Sequence, residues 1–116
     1  MKILFVCKGN LNRSPTAERV CRELAESKGL EIEVESAGLS TLTSLFSGRK
    51  LTKGTADAAD KIFVMEEYMK RALVRKYSQP SKKIISLNIQ DIYITDDPEL
   101  INQLKRKITP YLDKIL

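Results

Sequence analysis

Two short stretches of the chain, Ile3-Leu4-Phe5-Val6 and Ile62-Phe63-Val64-Met65, are apolar at every position. A strand with one wet face alternates; a strand without polar residues must be covered on both sides. Each stretch is followed by a segment of helical period. After the first, Ala17, Val20, Cys21, Leu24 and Ala25 recur at i, i+3, i+4, i+7 and i+8, with Glu18, Arg19, Arg22, Glu23 and Glu26 on the other face. After the second, Met65, Tyr68, Met69, Ala72 and Leu73 form a stripe. Alternating strands and helices define the α/β class with a parallel sheet, and right-handed crossovers put helices on both faces. The expected architecture is a three-layer α/β/α fold.

Two further strands complete the expected sheet at four. Glu31-Ile32-Glu33-Val34-Glu35 alternates strictly and reads as a half-exposed edge strand, and Ile84-Ile85-Ser86-Leu87 as the fourth strand. Ser14 suits the N-cap of the first helix, Pro15 its first helical position and Gly29 its stop. Residues 39–50, rich in Ser, Thr and Gly, read as irregular, and residues 51–60 as a short helix. Asp97-Pro98 opens a last helix with Leu100, Ile101, Leu104, Ile108 and Leu112 on one face, which Pro110 is expected to kink or interrupt. A length of 116 residues is that of one domain, 1–116.

The residue types exclude whole classes of chemistry. There is no histidine, hence no Cys-His or Ser-His-Asp arrangement. The two cysteines, Cys7 and Cys21, cannot by themselves fill a structural zinc site, so no metal and no cofactor is expected. Nor do they make a disulfide scaffold. No apolar run is long enough to span a membrane, and the strand pattern starts directly after Met1, which predicts a cytoplasmic protein without a signal peptide. Net charge is +5. Between Tyr68 and Gln90 no residue is acidic, while Lys70, Arg71, Arg75, Lys76, Lys82 and Lys83 all fall there. Such a run reads either as a solvated face or as a docking surface for an acidic partner. The scarcity of aromatic residues in it argues against nucleic acid.

The loop Val6-Cys7-Lys8-Gly9-Asn10-Leu11-Asn12-Arg13-Ser14-Pro15 lies between the first apolar strand and the first helix. In open α/β sheets, ligands bind at the carboxyl ends of the strands. Successive backbone N–H groups from Lys8 to Ser14 can point inward as a nest, and the helix N-terminus adds partial positive charge. Gly9 is free to take positive φ, Asn10 tolerates a left-handed conformation, and Arg13 offers a fork that grips two phosphate oxygens. The field that favours a bound anion there also favours the thiolate of Cys7, without help from histidine. The ligand that uses cradle, fork and nucleophile together is a phosphomonoester, with Cys7 attacking and Arg13 holding the phosphoryl group.

The stretch VCKGNLNRSPTAE resembles the C-x-G-N-x-C-R-S-P signature of the low-molecular-weight protein tyrosine phosphatases. ESAGLS resembles that family's next motif, and ADKIFVMEEYMKRAL its third strand and following helix. The resemblance implies a four-stranded parallel sheet flanked by helices and a cysteinyl-phosphate intermediate. It implies Asn10, Ser14 and Ser36 as polar supports of loop and thiolate, and a carboxylic acid near the C-terminus that protonates the leaving oxygen. Asn12 stands where many members have a second cysteine, no tryptophan is present to wall the pocket, and the acid motif D-P-Y is not intact.

Three aspartates compete for the acid in IQDIYITDDPEL. Asp97 precedes Pro98 where an N-cap is expected, and a capping carboxylate is a poor acid. Asp91 follows the fourth strand and keeps the D-x-Y spacing, so the acid is expected to be Asp91. Leu11, Leu39 and Tyr93 are candidate walls of the substrate pocket or ordinary packing residues. Expected partners are a phosphorylated protein or small phosphomonoester, with inorganic phosphate as product and inhibitor. Two rivals stand beside the hydrolase. One is an enzyme like the arsenate reductases, which needs a resolving cysteine; Cys21 is roughly 10 Å along the helix from Ser14, too far for a disulfide. The other is a non-catalytic phosphate- or phosphoprotein-binding module.

Overall fold

The first apolar run becomes β1 (Lys2–Cys7), with Ile3, Leu4, Phe5 and Val6 all buried. This is seen in a computed structural model that describes residues 1–9, 12–40 and 49–115. The expected roles of Asn10 and Leu11, and most of the irregular 39–50 stretch, lie outside the described residues. β2 (Glu33–Gly38), β3 (Lys61–Val64) and β4 (Ile84–Ser86) join β1 in a four-stranded parallel sheet of order β2-β1-β3-β4. The edge strand runs later than its alternation predicts, from Glu33 rather than Glu31. Ile32 is still part of the turn that brings the chain back from the first helix, and packs half-buried against the core.

Helices cover both faces. α1 (Arg13–Ser27) packs against β1, β2 and the final helix α4 (Pro98–Ile115), and α3 (Glu67–Lys76) against β3 and β4. A short α2 (Lys53–Ala58) precedes β3; Thr52 caps it by accepting the Thr55 N–H at 3.1 Å. The predicted stripe of α4 is buried at Leu100, Leu104, Ile108 and Leu112. Phe5 and Phe63 are partners across β1 and β3 and stack at 5.3 Å, and Tyr111 of α4 meets Phe63 edge-on at 5.2 Å. These ring contacts tie the sheet's centre to the last helix. Among the described residues, no helix is long and apolar enough to cross a membrane.

Three helix-end expectations meet the structure differently. Gly29, at φ 70°, ends α1 in a Schellman arrangement: its N–H bonds Glu26 and the Leu30 N–H bonds Ala25. Ser14, however, is not the N-cap. Helix α1 starts at Arg13 after Asn12, and the Ser14 hydroxyl is spent on Cys7 instead. Pro15 therefore sits within the first turn, where its missing N–H still costs nothing. Pro110 does not interrupt α4, which continues to Ile115. Pro110 and Arg106, whose carbonyl loses the bond, are both on the exposed side, open to solvent.

Candidate active site

The register of the sheet brings the site together. Val6 pairs with Val64 and Val64 with Ser86, so β1, β3 and β4 end side by side. Cys7, Glu66 and the segment 87–91 follow those ends directly. The Met65 N–H bonds Val6, and the Leu87 and Ile89 N–H groups bond Val64 and Met65, which extends the ladder into the loops. On the other side of β1, Leu39 N–H bonds the Cys7 carbonyl at 2.9 Å and Ser40 N–H that of Lys8 at 2.7 Å. The strand order reverses at β1, the position at which open α/β sheets form a crevice.

Cys7 is buried, with its Sγ 3.0 Å from the Ser14 hydroxyl. A hydroxyl at that distance can donate to a thiolate, and the first backbone N–H groups of α1 open on the same loop. Arg13 is almost wholly buried, at 2% exposure. Its Nη1 donates to Glu66 Oε1 at 2.7 Å and to the Ile89 carbonyl at 2.8 Å, while Nε is 3.6 Å from Asp91 Oδ1. Among the described residues, no hydrogen bond engages Nη2. The Nε–Nη2 edge is thus the one left for two oxygens of a ligand. Asn12, at the end of the loop, accepts a hydrogen bond from Thr95 at 2.7 Å, which joins the loop to the segment that carries the aspartates. Lys8 is exposed and Gly9 half-buried at the loop's start.

The three aspartates have different occupations. Asp97 Oδ1 accepts the Glu99 N–H at 2.9 Å, and the Asp97 carbonyl accepts the Ile101 N–H: Asp97 is the cap of α4. Asp96, at φ 62°, is ion-paired with Arg19 at 2.6 Å. Asp91 is 56% exposed and lies beside Arg13. Tyr93, a candidate wall, is drawn into the core, and its hydroxyl accepts a hydrogen bond from Gln103 of α4. Its neighbours Ile92 and Ile94 point outward instead, at 70% and 73% exposure. Leu39, the other described candidate, packs half-buried against the core.

Ser36 does not reach the thiol. Its hydroxyl donates to Glu18 Oε1 at 2.6 Å, and Arg49 bonds both groups, at 2.8 Å to Glu18 and 3.3 Å to Ser36. Arg22 adds an ion pair to the other Glu18 oxygen at 2.8 Å. Burial opposes ionisation of Glu18, but the Ser36 hydroxyl, Arg22 and Arg49 together outweigh it and hold the carboxyl below its usual value of 4.5. A carboxylate lowered in the folded state stabilises above the unfolded value, and the stabilisation is lost as pH falls through the folded one. Glu18→Gln should therefore cost about 1 kcal/mol at neutral pH, with the gap to wild type closing below about pH 4. Denaturant titrations at both pH values test this; a gap independent of pH would refute it.

Three site residues escape the sequence reading. Glu66 holds Arg13 across a separation of 53 positions; its only sequence signal is its place directly after a buried strand. Tyr68 reads as one member of a helix stripe, yet it is 40% exposed at the first turn of α3. Its phenol is pushed up by burial and by the negative charges of Glu66, Asp91 and Cys7, against the pull of Arg13, so it shares the field of the whole site. Lys107, on α4, donates to the Leu87 carbonyl at 2.7 Å and the Asn88 carbonyl at 3.1 Å. With Arg13 on Ile89, the carbonyls of 87, 88 and 89 are each held by a cation just ahead of Asp91.

Cys21 faces the core on α1, and burial, only partly offset by Arg22, pushes its thiol up to about 11. Neither cysteine forms a disulfide with the other. Mild peroxide treatment should oxidise Cys7 to sulfenic acid or its adducts and leave Cys21 reduced. Mass spectrometry reads the outcome; a Cys7–Cys21 disulfide as main product would overturn it and favour the reductase-like reading.

A buried cysteine at the end of a central strand, with a buried arginine at the start of the following helix, is an arrangement suited to holding an oxyanion beside a thiol. Comparison with known proteins agrees. A model of the low molecular weight phosphotyrosine protein phosphatase family matches residues 2–47. A protein-arginine-phosphatase of Bacillus subtilis is 29% identical over 105 residues, 75% of this chain and 70% of its own. A low molecular weight phosphotyrosine protein phosphatase of Gallus gallus is 33% identical over 98 residues, 66% of this chain and 62% of its own length. The solution structure of a low molecular weight protein tyrosine phosphatase from Bacillus subtilis superposes with a TM-score of 0.74 at 27% identity, covering 98% of each chain. In sequence and in fold the chain is thus similar to the low-molecular-weight phosphotyrosine protein phosphatases.

Proposed function

We propose that the protein is a cysteine-dependent phosphomonoester hydrolase acting on phosphorylated protein, with phosphotyrosine the first substrate to test. The observation that carries this reading is the convergence of Cys7, Arg13 and Asp91 at one end of the sheet. The Cys7 sulfur is next to the Ser14 hydroxyl, and Arg13 is fixed by Glu66 and Ile89 with its Nε towards Asp91.

In the proposed mechanism, the backbone N–H groups of Lys8 to Ser14 and the Nε–Nη2 edge of Arg13 bind the phosphoryl oxygens. The Cys7 thiolate attacks phosphorus in line with the leaving oxygen. The S–P bond forms as the P–O bond breaks, and the leaving oxygen takes the proton of the Asp91 carboxylic acid. Asp91, now a carboxylate, accepts a proton from water as that water attacks the phosphocysteine. Inorganic phosphate leaves and the thiolate is restored. Ser14 stabilises the sulfur anion at both ends of the cycle. Nucleophile, acid and base are all side chains of this chain, so the cycle calls for no metal or cofactor.

Tyr68, exposed and within the field of Glu66, Arg13 and Asp91, offers a ring face suited to an aromatic substrate. The test is turnover of an aryl phosphate, of a phosphotyrosine peptide and of a phosphoarginine peptide, in parallel with arsenate reduction by a thiol donor. Hydrolysis without arsenate reduction is the expected result. Arsenate reduction alone would replace the proposal with redox chemistry, and binding without turnover with a recognition module.

A further inference from the structure

The basic run after Tyr68 takes a definite shape in the structure. Glu67, Lys70, Arg71, Val74 and Arg75 fall at i, i+3, i+4, i+7 and i+8 on α3, and with Ser81 they line a groove of about 280 Å³. Arg71, Val74 and Arg75 are exposed. Arg13, Arg19, Arg22 and Arg49 are each ion-paired with a carboxylate. Among the described residues, no ion pair engages Lys70, Arg71 or Arg75. Lys83, from the same run, is withdrawn from the surface by bonds to the Ala56 carbonyl and Gln79.

The groove starts at the active-site mouth. Glu66, which holds Arg13, immediately precedes α3, and Tyr68 stands in its first turn. From Tyr68 to Arg75 the helix rises roughly 10 Å, a distance an extended peptide covers in about three residues. Resting on the hydrolase reading above, we propose that this groove docks acidic residues of the protein substrate that lie about two to four positions from the phosphorylated side chain. Arg71 and Arg75 present planar forks for carboxylates, and the exposed Val74 between them accepts the methylenes of a glutamate. The groove's lining holds no aromatic residue on which a nucleic-acid base would stack.

Steering by such a patch raises association and weakens with salt. A phosphopeptide with three flanking glutamates should be turned over with kcat/KM about tenfold above its alanine counterpart at low ionic strength, the ratio collapsing towards one in high salt. The Arg71→Gln/Arg75→Gln variant should lose that preference while keeping aryl phosphate turnover unchanged, which also shows that it is folded. Peptides with the glutamates on either side of the phosphorylated residue give the direction of binding. Fluorescence anisotropy with the unphosphorylated glutamate peptide reads docking without catalysis, so absence of all turnover would sink the hydrolase reading alone. Equal kcat/KM for both peptides, or a preference that survives the double variant, overturns the proposal. So does an RNA oligomer that binds through the same arginines without any peptide preference.

Discussion

Cys7→Ser removes hydrolysis of an aryl phosphate, by on the order of 10⁴–10⁶-fold, the range seen when a hydrolase loses its nucleophile. It leaves inorganic phosphate or vanadate bound with little change. The two halves of this expectation come from separate parts of the site. Binding rests on the backbone donors of the loop and on Arg13, whose orientation depends on Glu66 and Ile89 rather than on the sulfur. Attack rests on a thiolate. A serine hydroxyl in its place is un-ionised at neutral pH and a far weaker nucleophile than a thiolate, and the chain has no histidine to take its proton. Stopped assays together with equilibrium dialysis separate the two, and near-wild-type turnover by the variant would exclude a cysteinyl intermediate.

Asp91→Asn lowers the rate by about 10²–10⁴-fold, most for alkyl phosphates and least for an aryl phosphate whose leaving group departs without a proton. Substrate binding is retained. Asp97→Ala should instead cost about 1 kcal/mol of stability and little rate, because its carboxylate is committed to the Glu99 N–H at the start of α4. Asp96 is tied to Arg19. Measuring both variants on an alkyl and an activated aryl phosphate decides the assignment. Full activity in Asp91→Asn with loss in Asp97→Ala would reverse it.

The sheet, and the place of Cys7 at the end of β1 ahead of α1, were legible because their signals are local. Cys7 and Arg13 are neighbours in sequence, the apolar runs of β1 and β3 admit one environment, and Gly29 ends α1 with its own conformation. What was not legible depends on partners distant in sequence. A glutamate after a strand is unremarkable until Arg13 is folded against it, so Glu66 went unread. The segment 92–94 alternates, but its sequence does not say which parity faces the core. Gln103 and the packing of α4 decide in favour of Tyr93, and Ile92 and Ile94 are turned to the outside. Ser14 has the chemistry of a cap, and only the nearness of the Cys7 sulfur shows that it serves another partner. Ser36 likewise meets the Glu18–Arg49 pair, which no spacing in the sequence announces.

The hold of Lys107 on the carbonyls of Leu87 and Asn88 bears on how the molecule is made. During synthesis the thiol loop leaves the ribosome first and the helix carrying Lys107 much later. Until α4 docks on α1, the carbonyls ahead of Asp91 lack their cation and the Tyr93 ring lacks its Gln103 partner. A nascent chain therefore carries Cys7 and Arg13 long before the segment that holds Asp91 is fixed. The placement of that segment arrives with the final helix, as expected of a domain that folds as a unit.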